Sequence, residues 1–151
     1  MKDEADMTKR FEDEFMDIQI RMVSTCMEAL ENSDRASPER MYIYAFDSSS
    51  QSFFNVFFVR KGMVLSFEEL GVPDDMVEQV FDLGIDDVQE LTELCDSREK
   101  KAPNQYKLVY DLINEKLDTE YGYDDLKKSN SSPIEEFLAW QESIEKSLKG
   151  R

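Results

Sequence analysis

The sequence predicts an α+β domain, an antiparallel sheet of about five strands with helices packed on it. Three observations predict it. Apolar residues recur at helical steps of three and four in three separate stretches. Between those stretches lie short runs rich in Val, Ile, Phe and Tyr, bounded by turn formers. The runs come as a group of three and then a group of two, with connections too short for a parallel crossover. The 151 residues suit a single domain, 1–151. A chain of that size buries roughly two-thirds of its unfolded surface, so it needs no staple.

Each element has its own signal. Met7, Phe11, Phe15, Ile18, Met22, Cys26 and Leu30 form one face of a helix over residues 4–31, which the turn formers of Asn32–Pro38 stop. The period then changes to two. Met41–Phe46 is a first strand, Ser48–Ser52 a turn, Phe53–Arg60 a second strand, and Lys61-Gly62 a tight turn into a third strand, Met63–Leu70. The segment FFNVFF is apolar at nearly every position, so both its faces should be covered, and it is the candidate for the central strand. Pro73, followed by Asp74 and Asp75, opens a second helix that runs to about Arg98. Gly84 costs about 1 kcal/mol inside a helix, so one long helix and two short ones both remain open. Tyr106, Leu108 and Tyr110 alternate with Lys107, Val109 and Asp111 along Gln105–Leu112. After a turn at Ile113–Lys116, residues Leu117, Thr119, Tyr121 and Tyr123 alternate with Asp118, Glu120, Gly122 and Asp124. This second hairpin has one acidic face. Lys127–Ser132 is a polar linker, and Pro133 opens a last helix with Ile134, Phe137, Leu138, Gln141, Ile144 and Leu148 on its inward side.

Charge bounds the function. Thirty-four acidic residues face 18 basic ones, for a formal charge of -16, and there is no histidine. Such a chain repels nucleic acid and anionic membranes and attracts basic surfaces. Without His, the commonest general base and metal ligand is missing, and an enzyme is not expected. Cys26 and Cys95 both fall on apolar stripes. Two buried thiols in a reducing compartment are the simpler expectation, with a single disulfide left open. The charged N-terminus lacks the apolar run of a signal peptide, and no stretch reaches the ~20 apolar residues of a membrane span. A cytoplasmic protein is expected.

Motifs for chemistry are sparse. The five glycines are scattered and build no phosphate loop. The pairs Asp74-Asp75, Asp86-Asp87 and Asp124-Asp125 invite a Mg²⁺ or Ca²⁺ site, but an acidic chain yields such pairs by chance and no ligand spacing accompanies them. No metal and no cofactor is expected. From Asp74 to Glu99 there are ten acidic residues and one basic one, Arg98. Asp74, Glu78, Asp82, Asp86 and Glu90 step by four along one helical face, where like charges repel. That face is either plain solvated surface or a surface that docks a cationic groove; ordinary soluble faces intersperse Lys and Arg. A second candidate is the hairpin face with Asp111, Asp118, Glu120, Asp124 and Asp125. Strand carboxylates two residues apart lie ~6.6–6.8 Å apart, near the phosphate spacing of a nucleic-acid strand. That spacing allows phosphate mimicry, while charge on an exposed strand also guards against edge aggregation. Tyr42, Tyr44, Tyr121 and Tyr123 are candidate aromatic anchors, with half-buried sheet packing as the commoner use of such residues.

The amphipathic N-terminal helix, MYIYAF and FFNVFFVRKG, and above all PNQYKLVYDLINEKLDTEYGYD (103–124), resemble the YezG-like immunity (antitoxin) family. The helical region from Val72 to Lys101 is similar only in character. Membership implies a cytoplasmic protein that neutralises the toxic domain of a secreted polymorphic toxin, often one with an LXG-type export region, with nucleases among the known targets. A nuclease cleft is basic because it grips phosphates, so an acidic inhibitor associates with it quickly. The resemblance carries no catalytic or contact residues to these positions. The expected function is therefore an immunity protein that occludes a basic toxin domain. A carboxylate-dependent metal hydrolase and a secretion chaperone or adaptor are the alternatives.

Overall fold

The computed structural model describes residues 4–150, with side chains from residue 10 onward, so Met7 of the expected first stripe lies outside the described side chains. Helix α1 (Glu4–Leu30) leads into strands β1 (Arg40–Asp47), β2 (Ser52–Arg60) and β3 (Met63–Leu65). Helix α2 (Asp74–Ser97), strands β4 (Gln105–Asp111) and β5 (Lys116–Gly122), a 3-10 turn (Leu126–Ser129) and helix α3 (Pro133–Lys149) follow. The strands form one antiparallel sheet in the order β3-β2-β1-β4-β5. The α+β architecture is the one the periodicities predict.

The sheet lies between two helical layers. Met41, Ile43, Ala45, Phe54, Val56, Phe58, Tyr106 and Leu108 point to α1 and α2 and make the larger core. Their alternates Tyr42, Tyr44, Phe46, Phe57 and Val59 point to α3 and make a smaller, aromatic one. Tyr42 stacks on Phe57 with ring centroids 4.7 Å apart, and Trp140 of α3 meets both rings edge-on. Burying both faces explains why these strands read as continuous apolar runs.

Three expectations need correction, and one open choice, at Gly84, is resolved. The central strand is β1, not FFNVFF. β1 pairs along its length with β2 on one side and β4 on the other, whereas β2 has only the three residues of β3 beyond it. A two-faced apolar pattern records covered faces, and it is silent on how many neighbours share hydrogen bonds. The third strand ends at Leu65 rather than Leu70. Ser66 and Glu69 exchange backbone and side-chain hydrogen bonds at 3.1 Å in both directions. This S-x-x-E capping box winds Ser66–Leu70 into a turn that buries Phe67 and Leu70. Helix α2 runs unbroken through Gly84, which is buried against the Phe54 ring. Finally, Ile134 and Leu138 of α3 are exposed, at 44% and 52%. The inward face is Phe137, Trp140, Ile144 and Leu148. At 100° per residue, Trp140 lies on the opposite flank of Phe137 from Ile134 and Leu138. Seating the indole against Tyr42 and Phe57 rolls the helix away from those two.

Candidate partner-binding surfaces

The acidic face of α2 is built by two constraints. Val80, Val88, Leu91 and Cys95 turn inward onto the sheet and α1. That orientation leaves Asp74, Glu78, Asp82, Asp86 and Glu90 exposed. The seventeen residues from Asp74 to Glu90 make a ridge of about 24 Å at 1.5 Å per step. A ridge of that length disperses its carboxylates, whereas a cation site needs oxygens converging within ~2.6 Å of one point. Among the described residues, no group of three or more His, Cys, Asp or Glu is placed to hold a metal ion.

Two acids of this region are tied to the fold. Asp87 is buried and accepts hydrogen bonds from Arg21 Nε (2.9 Å) and Nη2 (2.7 Å). Burial pushes its carboxyl above the usual carboxylate range, and the Arg21 guanidinium opposes that shift. Arg21 Nη2 also bonds Glu90, so the last member of the ridge shares that one cation with Asp87. Asp74, Glu78, Asp82 and Asp86 make no salt bridge among the described residues.

Helix α1 adds acids that sequence reasoning left out of the site. It packs antiparallel to α2, with Arg98 on Glu14 at 3.1 Å near one end and Arg21 on Asp87 further along. The groove between the two helices, about 500 Å³, carries Glu14, Asp17, Glu90 and Glu93. Acids lying off the apolar stripe of α1 are visible in the sequence. Only the helix pairing shows that they face those of α2.

The hairpin surface is more mixed than its expected acidic face. Asp111 accepts hydrogen bonds from the backbone N–H of Ile113 and Asn114 and from Asn114 Nδ2, which closes the β4–β5 turn and lowers its pKa. Asp125 accepts from the Lys127 N–H and caps the 3-10 turn. Across the ladder Lys107 faces Glu120 and Lys116 faces Asp111. Asp118, Glu120 and Asp124 are exposed, so the carboxylates at phosphate-like spacing along β5 number only two, Asp118 and Glu120. They project to the α3 side, because Asp118 pairs with Val109, which packs in the aromatic core. The ridge of α2 lies over the other face of the sheet. The fold therefore does not bring the two acidic surfaces together.

The tyrosines also divide. Tyr42 and Tyr44 are buried, which removes them as anchors. Tyr121 is half-buried on the α1 side, where its hydroxyl and the buried amide of Gln19 exchange hydrogen bonds at 3.0 and 3.2 Å. Tyr123 alone of the four is exposed, at 46%, beside Lys101 Nζ. Cys26 and Cys95 are buried and unbridged, and burial pushes both thiols up.

No protein-family model matches this chain, and no curated protein matches it. Among the described residues, no helix is long and apolar enough to cross a membrane.

Proposed function

We propose that this chain is a stoichiometric inhibitor, an immunity protein that docks the acidic ridge of α2 on a basic toxin domain and blocks its working surface. The observation that carries the reading is the run Asp74, Glu78, Asp82 and Asp86, exposed and without a salt bridge among the described residues. Nearby, Asp87 and Glu90 share Arg21. Repulsion along the ridge costs about 0.2–0.5 kcal/mol per neighbouring pair. A basic partner turns that cost into attraction and speeds encounter. The resemblance of residues 103–124 to the YezG-like immunity family supports the same class, with a nuclease as the favoured target. The dispersal of the carboxylates along a ridge argues against the metal-hydrolase alternative.

The test uses a basic toxin domain sought among the reading frames that neighbour this gene. Its activity and its association rate are measured with the native chain and with a variant carrying Asp74→Asn, Glu78→Gln, Asp82→Asn and Asp86→Asn. Complete inhibition at one equivalent is expected for the native chain, with the association rate falling about tenfold or more in the variant or at high salt. Tight binding that leaves the toxin active would instead identify a chaperone or adaptor. A rate indifferent to both salt and the four substitutions would remove the ridge from the mechanism.

A further inference from the structure

Helix α1 carries a second apolar seam that the fold covers only in part, with Met27 packed against the core and Ile20 left exposed. Met16, Ile20, Val23 and Met27 step by four, three and four, and at 100° per residue they fall within a band of about 60°. This band lies beside the core-facing line of Ile18, Met22 and Cys26. Val23 is buried, while Ile20 is 48% exposed. Opposite the seam stand Tyr110 and Leu117, next to the outer edge of β5. Together they line an open cleft of about 560 Å³.

The rim has one sign of charge. Glu28, Glu31 and Glu115 border the cleft, and no cation does so among the described residues. Glu28 and Glu31 lie at the C-terminal end of α1, whose last turn holds no basic residue. Backbone carbonyls already give that end a partial negative charge. Acids there oppose ordinary helix design, and a cation from outside would relieve both at once.

We propose that this cleft docks an amphipathic helix of a protein partner, with an apolar seam inward and Lys or Arg at the end that meets Glu28, Glu31 and Glu115. The four–three–four spacing is that of a helix packing on a helix, which favours a helical occupant over a strand added to β5. From Met16 to the rim at Glu31 the cleft runs about 22 Å, room for about four helical turns. Two methionines let the floor adapt to the side chains it receives. The inference rests on reading the chain as a binder of basic proteins, and it adds an apolar anchor that the α2 ridge lacks.

The probe is a synthetic sixteen-residue Leu/Lys peptide with Leu at helical spacing and Lys concentrated toward one end. Its scrambled isomer, of equal charge and without a seam, is the control. Binding is followed by titration calorimetry, peptide helicity by circular dichroism, and position by amide chemical shifts. The proposal expects the seamed peptide to bind about tenfold or more tightly than its isomer, to gain helicity, and to shift residues 16–31 and 110–117. Ile20→Lys, and separately Glu28→Lys with Glu31→Lys, should each weaken it about tenfold. All three positions are exposed, so the variants should stay folded, and their melting curves check that they do. The α2 variant with four neutralised acids should bind the peptide within about threefold of native, which separates this inference from the inhibition assay. Equal binding of both peptides, indifference to the cleft variants, or loss of binding in the α2 variant alone would each overturn it. Extended peptide bonded to the β5 backbone would overturn it in favour of strand addition.

Discussion

Replacing Gly84 by Ala tests how closely α2 sits on the sheet. At a solvent-facing helix position this change stabilises, since Gly is about 1 kcal/mol worse than Ala. Here a Cβ would fall 2.5 Å from Phe54 Cγ and 2.6 Å from Cδ1. Phe54 is itself buried and meets Phe81 edge-on at 6.0 Å, so the ring cannot swing aside without displacing its neighbours. Overpacking of this kind costs about 1–3 kcal/mol, and an aromatic ring in a full core belongs at the upper end. Subtracting the helix-propensity gain leaves a net loss of about 1–2 kcal/mol. For a chain of this length that lowers Tm by about 3–6 °C. Urea and thermal unfolding followed by circular dichroism measure it. In a Phe54→Leu background the same substitution should become nearly neutral, a coupling above about 0.5 kcal/mol. A Gly84→Ala chain about 1 kcal/mol more stable than native would refute the close approach of α2 and β2.

Two further expectations follow from the charges. Arg21→Met strands the buried Asp87 carboxylate. The loss should be about 2 kcal/mol at pH 7, below the full value for a buried pair because Arg21 is half exposed. Asp87 has a raised pKa in the folded chain, so its stabilising contribution is present below the ordinary carboxylate value and lost as pH rises through the folded one. Removing Arg21 raises that pKa further, so the Arg21→Met deficit in urea melts should grow from pH 4 to pH 7. A deficit that shrinks over that range would contradict the pairing. For the native chain, added salt should stabilise. The three neighbouring pairs among Asp74, Glu78, Asp82 and Asp86 hold roughly 0.6–1.5 kcal/mol of repulsion, and screening it between about 0.02 and 0.3 M NaCl should raise Tm by a few degrees. The variant with four neutralised acids should lose most of that salt response.

How far the sequence carries depends on whether a feature is periodic or relational. The α2 row was readable because acids four apart must share a helix face wherever the helix sits. The second seam on α1 uses the same arithmetic and was available from Met16, Ile20, Val23 and Met27. It was hidden beside the stronger line through Ile18, Met22 and Cys26. Ser66-x-x-Glu69 likewise carried a capping signal that the alternation of Met63–Leu65 masked. The shared groove of Glu14, Asp17, Glu90 and Glu93 had no sequence signal, because residues about 75 positions apart meet only through the α1–α2 pairing.

By itself the sequence determined the class of fold, the positions of most elements, the surplus of negative charge and the acidic row of α2. These follow from local periodicity and from counting ionisable groups. Tertiary structure decided the rest. It placed β1 at the centre of the sheet, ran α2 straight through Gly84, and took Tyr42, Tyr44 and Asp87 out of the accessible surface. It also set the two acidic surfaces on opposite faces and left one seam of α1 partly uncovered. Each of these depends on which distant segment a side chain meets, and the packing of the folded chain alone specifies that.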